Sequence, residues 1–208
     1  MDTFGILFGS QARVKLIRLF LLNPEEILET TDVVKRSRVT NALARKEIAI
    51  LSRAGLIKKK SFWKESASTK KGGKPVKKRA SGWQLDANFA LMKQLRNFLL
   101  DTDPLRREEV ANRFRGSGKI KLLIVSGLFI GARNSRVDLL LVGDNLSKAR
   151  IEHALRTIES EVGKELSYAY FDTQEFTYRV GICDKFVRDV LDYPHEKVIN
   201  RLAASLDR

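Results

Sequence analysis

Two hundred and eight residues suffice for one large domain or two small ones, and 43% hydrophobic content excludes a globally disordered chain. The net charge of +14 is unevenly placed: residues 1–100 hold 21 Lys and Arg against 8 acids, whereas residues 101–208 hold 18 against 17. The first half therefore reads as a polyanion binder, or more blandly as a solvated basic half, and the second as a near-neutral domain. Cys183 is the only cysteine, which rules out an intrachain disulfide and fits a reducing compartment. With no 18-residue apolar run and no basic region ahead of the first apolar residues, the chain is expected to be cytoplasmic, without a membrane partner.

Phe4, Leu7 and Phe8 make a short apolar start, and Ser10 is placed to cap a core helix over residues 11–22. Asn23-Pro24 ends it. Thr30 or Thr31 can cap a second short helix through Val33, Val34 and Arg36, and Thr40 a third over residues 41–54. Only Ser37-Arg38-Val39 separates the last two, the spacing of a helix-turn-helix. On the third helix Ala44, Ile48 and Leu51 recur at i, i+4 and i+7 and should face the core. Arg38, Thr40, Asn41, Arg45 and Lys46 then fall near its exposed start, where side chains reach base edges.

Gly55 supplies a left-handed stop for that helix. Residues 56–63 read as a strand and residues 82–85 as its return, with Trp83 and Leu85 on one face and Gln84 on the other. The loop expected over residues 64–80 carries Lys64, Lys70, Lys71, Lys74, Lys77, Lys78 and Arg79 against one acid, Glu65. A helix followed by a hairpin with a cationic tip suits major-groove reading with the hairpin on the phosphates. A solvated hairpin tip is the weaker reading.

A helix over residues 89–100 has a broad apolar face that can pack across a two-fold axis, giving a homodimer, or on the chain's own first helix. Asp101-Thr102-Asp103-Pro104 marks the boundary between domains 1–102 and 103–208, and a connecting helix runs on to about Arg115. Gly116-Ser117-Gly118-Lys119 is a turn rather than a phosphate loop, because the order here is helix, loop, strand. Residues 120–125 and 137–142 are aliphatic runs fit for central strands. A helix over residues 147–162, a strand over 166–171 and amphipathic segments over 173–180 and 185–191 complete a small α/β domain. His153 and His195 have no ligand spacing around them, and no Ser or Cys has a nearby base pattern.

Two resemblances follow from these segments. Gly9-Ser10-Gln11-Ala12-Arg13-Val14-Lys15-Leu16, then Arg45-Lys46-Glu47-Ile48 to Leu51, Gly55-Leu56-Ile57 and the basic hairpin make residues 5–100 similar to ArsR-like winged helix-turn-helix regulators. Residues 119–200 resemble the minimal nucleotidyltransferase domain, in which a strand ending in Gly-Ser precedes a strand carrying Asp-x-Asp. Ser126-Gly127, Gly131 and Asp138 match that pattern. Arg136 stands where the first acid belongs, the loop is about two residues short, and Glu165 is the one candidate for a third acid.

The resemblances together imply an α+β chain of two domains, a winged helix-turn-helix and a degenerate nucleotidyltransferase-like domain. The implied function is a transcription regulator that binds double-stranded DNA and needs no cofactor, with enzyme activity left open and the degenerate domain, Arg136 standing where an acid is expected, leaning against it. Its second domain would be a scaffold, a dimerisation surface or a nucleotide sensor, with Gly127, Gly131, Arg133 and Arg136 against the nucleotide. The rival is an active nucleotidyltransferase using Mg²⁺, nucleotide and Asp138, delivered by its basic half. A third reading is an antitoxin-like partner-binding protein.

Overall fold

Ser10 accepts a hydrogen bond from the Arg13 amide at 3.2 Å and so starts the first long helix where the sequence places it. The computed structural model describes residues 3–66, 76–100, 107–132 and 134–202, with the side chains of residues 65, 66 and 76 excepted. It is a mixed α+β structure whose described residues hold nine α-helices and two sheets. Packing divides it into two units: Met1–Asn97 with Val162–Lys164, and Phe98–Glu161 with Glu165–Arg208. The boundary drawn from sequence, between residues 102 and 103, lies outside the described residues.

In the first unit, α1 (Thr3–Leu7) leads into α2 (Gln11–Leu22), which buries Val14, Leu16, Ile17, Leu19, Phe20 and Leu21. The next helix, α3 (Thr30–Ser37), is capped by Glu29 rather than by Thr30 or Thr31, which lie inside its first turn. Asp32 accepts from the Glu29 amide at 3.0 Å, the return half of a capping box. Arg38 turns the chain in the left-handed region, and Thr40 caps α4 (Asn41–Arg53). Gly55, at φ +79°, ends α4 with the Leu56 amide on the Leu51 carbonyl at 3.0 Å.

A hairpin follows, β1 (Ile57–Ser66) paired antiparallel with β2 (Val76–Leu85). Leu28 bridges to Trp83, each amide donating to the other's carbonyl. Gly82 permits this approach, since a Cβ there would lie 2.7 Å from the Leu28 carbonyl oxygen. The helix expected from residue 89 begins later, as α5 (Met92–Leu100). Residues 86–92 spend two turns first, with Asp86 accepting from the Asn88 amide at 3.1 Å.

The second unit opens with α6 (Arg107–Arg113) and continues with β3 (Lys119–Ser126), β4 (Leu139–Asp144) and α7 (Lys148–Val162). After them come β5 (Tyr168–Asp172), α8 (Thr173–Gly181), α9 (Lys185–Asp192) and β6 (His195–Asn200). The sheet order is β5-β4-β3-β6, antiparallel except for the β4–β5 pair. That parallel pair needs a crossover, and α7 supplies it. Leu122, Ile124, Leu140 and Val142 pack with Phe176, Val187 and Val190 on one face, which accounts for the aliphatic runs. Sequence reading missed β6, an edge strand with too little apolar alternation to signal itself.

Candidate functional site

Helix α4 buries Ala44, Glu47, Ile48 and Leu51, three of them the residues its periodicity assigns to the core. Glu47 is the addition. Its carboxylate, 2% exposed, meets the Arg13 guanidinium of α2 at 2.8 Å, while Arg13 also donates to the Phe8 carbonyl. With Glu47 turned inward, the opposite face of α4 carries no carboxylate. Asn41, Arg45 and Lys46 are exposed there, and Arg38 and Thr40 are exposed just before the helix. The predicted residues of this group thus fall within one turn-and-helix segment, on its solvent side. The sequence signal for Glu47 was its i+3 step from Ala44.

The hairpin corrects the expected loop. Lys64, Lys77, Lys78 and Arg79 are strand residues, because the β1–β2 ladder continues past Trp63 to Ser66↔Val76. Backbone pairing extends the strands where the side chains, polar or charged apart from Val76 and Ala80, give no alternation. Lys70, Lys71 and Lys74 lie outside the described residues. The register places Lys58, Lys60, Phe62, Lys64 and Lys78 on one face, and Lys59, Trp63, Lys77 and Arg79 on the other. Lys64 stands directly opposite Lys78, a like-charge pair that destabilises a ladder. Glu29 offsets it by accepting from the Lys64 ammonium at 2.6 Å, a hydrogen bond that raises the lysine's pKa above its usual value.

Lys58 is tied to Asp86 at 2.9 Å, and this hydrogen bond, with a second from the Asn88 amide, holds the Asp86 carboxyl below its usual 3.8. Lys59, Lys60, Lys77, Lys78 and Arg79 make no ion pair with a described side chain. Trp63, 70% exposed and cross-strand from Arg79, was not singled out as a site residue in sequence. Alternation puts it on the face of Lys77 and Arg79, which nearer the base of the hairpin carries the buried Ile57 and Leu85, so its exposure comes from its position along the ladder.

In the second unit, β3 ends at Ser126, and Gly127 turns at φ +55° against Asp138. A Cβ on Gly127 would fall 2.2 Å from Asp138 Oδ1, so glycine is required there. Asp138 Oδ1 accepts from the Leu128 amide at 2.8 Å, and Oδ2 from the Ser167 amide at 2.9 Å. Ser135 accepts from the Gly127 amide, and Ser126 donates to the Val137 carbonyl. The carboxylate is therefore the clasp of this loop. Arg136 turns to Asp189 of α9, with both Nε and Nη2 at 2.8 Å from one oxygen. Gly131 has open space around it, Glu165 is exposed, and Arg133 lies outside the described residues.

This donor set does not fit Mg²⁺. A hard cation needs several free carboxylate or water oxygens, whereas each oxygen of Asp138 is already held by an amide and the nearby Arg136 brings a positive charge paired to Asp189. Among the described residues no group of three or more His, Cys, Asp and Glu is placed to hold a metal ion. Nor is any helix among them long and apolar enough to cross a membrane. No known family model matches the chain, and no curated protein or solved structure is significantly similar to it.

Proposed function

We propose that residues 1–102 form a winged helix-turn-helix that binds duplex DNA, and that the chain is a cytoplasmic transcription regulator. The observation that carries this reading is the carboxylate-free outer face of α4, followed in sequence by a hairpin whose two faces both bear cations. In the proposal Arg38, Thr40, Asn41, Arg45 and Lys46 meet the major groove, while Lys77, Lys78 and Arg79, with Lys70, Lys71 and Lys74, take the phosphates. The left-handed turn at Arg38 supports it, because it ends α3 just before α4, whose start is open to solvent.

The second domain is proposed as a nucleotidyltransferase-like scaffold without transfer chemistry. The engagement of Asp138 by two backbone amides and the ion pair of Arg136 with Asp189 support that assignment. Fluorescence anisotropy of labelled duplex DNA, titrated at several salt concentrations, tests the main claim. Binding that weakens steeply with salt is expected. An absence of duplex affinity at low salt sinks it.

A further inference from the structure

A cleft of about 830 Å³ opens in the second unit between α6, the turn that leads into β3, and β6. It lies at the start of β3, whereas Gly127 and Asp138 lie at that strand's end. Arg107, Arg115, Lys119, Lys197 and Arg201 line it, against one acid, Glu108. Arg107 is paired with Glu196. Arg115 and Arg201 have no carboxylate partner among the described residues and Lys119 only the cross-strand Asp144, so the three repel each other around one concavity and an anion between them relieves that repulsion.

The wall that carries them is fixed beforehand. The Ser117 carbonyl accepts from the Ser147 amide at 2.8 Å, and the Gly116 carbonyl from Arg150 at 2.5 Å. Gly118, at φ +137°, packs so closely that a Cβ would lie 2.8 Å from the Asn145 carbonyl oxygen. Arg115 and Lys119 are therefore held on either side of a locked turn. On the facing strand the ladder slips between Leu123↔Ile199 and Ile124↔Lys197, so Val198 is an extra residue. Such a bulge re-aims side chains, and this one lies in the cleft wall.

We infer that this cleft binds a small organic phosphate carrying two or more negative charges, its phosphates on Arg115, Lys119 and Arg201. The floor contributed by Ile120, Val198 and Ile199 takes the ligand's less polar part. The volume lies within the range of roughly 300–1,000 Å³ typical of small-molecule sites. Cations carried on either side of a held turn around that volume suit phosphate recognition. The inference does not rest on the DNA-binding proposal.

The test is isothermal titration of the full chain with ADP, fructose 1,6-bisphosphate and inorganic pyrophosphate. Saturable binding of one molecule per chain is expected for at least one organic probe. It should weaken more than about tenfold in the Arg115→Ala/Lys119→Ala/Arg201→Ala variant. The single variants Arg115→Ala and Lys119→Ala, judged folded by circular dichroism, carry the same test with smaller losses. A Lys77→Ala/Lys78→Ala/Arg79→Ala chain should bind as wild type does. Three results overturn the inference: no saturable binding of any probe, equal binding by wild type and the cleft variants, or loss in the hairpin variant instead. A cleft variant that loses duplex DNA while wild type binds no probe also overturns it, by making the cleft a nucleic-acid surface.

Discussion

Asp138→Asn separates a structural carboxylate from a catalytic one. Asp138 receives two backbone amides, one partly buried and one exposed. The asparagine keeps one acceptor but aims its own NH₂ at the other amide, so one charge-assisted bond is lost and a donor faces a donor. Hydrogen bonds to charged groups are worth about 1.5–3 kcal/mol, and exposure of the Ser167 bond trims the total to about 2–3 kcal/mol. The chain has a built-in assay for this. Both tryptophans, Trp63 and Trp83, lie in the first unit, and all four tyrosines, Tyr168, Tyr170, Tyr178 and Tyr193, lie in the second. In a urea titration the tyrosine and far-ultraviolet signals of the second unit should shift down by more than about 1 M. The tryptophan transition should stay where it is. If Asp138→Asn unfolds at the wild-type midpoint, the two amides do not depend on the carboxylate, and its charge is free for a ligand after all.

Four further outcomes are expected. Replacing Lys77, Lys78 and Arg79 by Ala should flatten the log–log salt slope of duplex binding by about 2.7, at roughly 0.9 per phosphate contact, read by anisotropy. Glu47→Gln should lower the tryptophan-detected stability by about 2 kcal/mol, because Arg13 keeps its tie to Phe8 but faces no charge; an unchanged midpoint would show the pair to be idle. Gly82→Ala should cost about 2 kcal/mol by pushing β2 away from Leu28, again read by tryptophan fluorescence. For Asp86 the folded carboxyl is held below its usual value, so the Lys58 pair contributes above that value and is lost as pH falls through the depressed one. Asp86→Asn should therefore be less stable than wild type at neutral pH and indistinguishable from it in strong acid, by thermal melts across pH.

Local signals were legible in the sequence and long-range ones were not. Ser10 and Thr40 are caps that need only the amide three residues on, and both caps are found. The aliphatic runs of β3 and β4 announce burial without reference to any partner. Arg136, by contrast, is explained by Asp189, 53 residues away, and Glu47 by Arg13, 34 residues away. No periodicity encodes such pairs. The hairpin was legible as a hairpin but too short by several residues, since Lys64↔Lys78 and Glu65↔Lys77 are joined by backbone bonds that side-chain chemistry conceals. β6 was missed because an edge strand paired on one side only can carry a mixed sequence such as His-Glu-Lys-Val-Ile-Asn.

The facing lysines of the hairpin have a consequence for how the chain responds to its ionic surroundings. Lys64 and Lys78 are opposed in the ladder, with Glu29 as partial counterweight. Dissolved salt shields that repulsion and so firms the hairpin, while the same salt competes with phosphates for its cations. A bound polyanion does both jobs at once, neutralising the lysines and occupying them. In dilute buffer without a ligand the repulsion between the facing lysines is least screened, and so is their attraction for any polyanion.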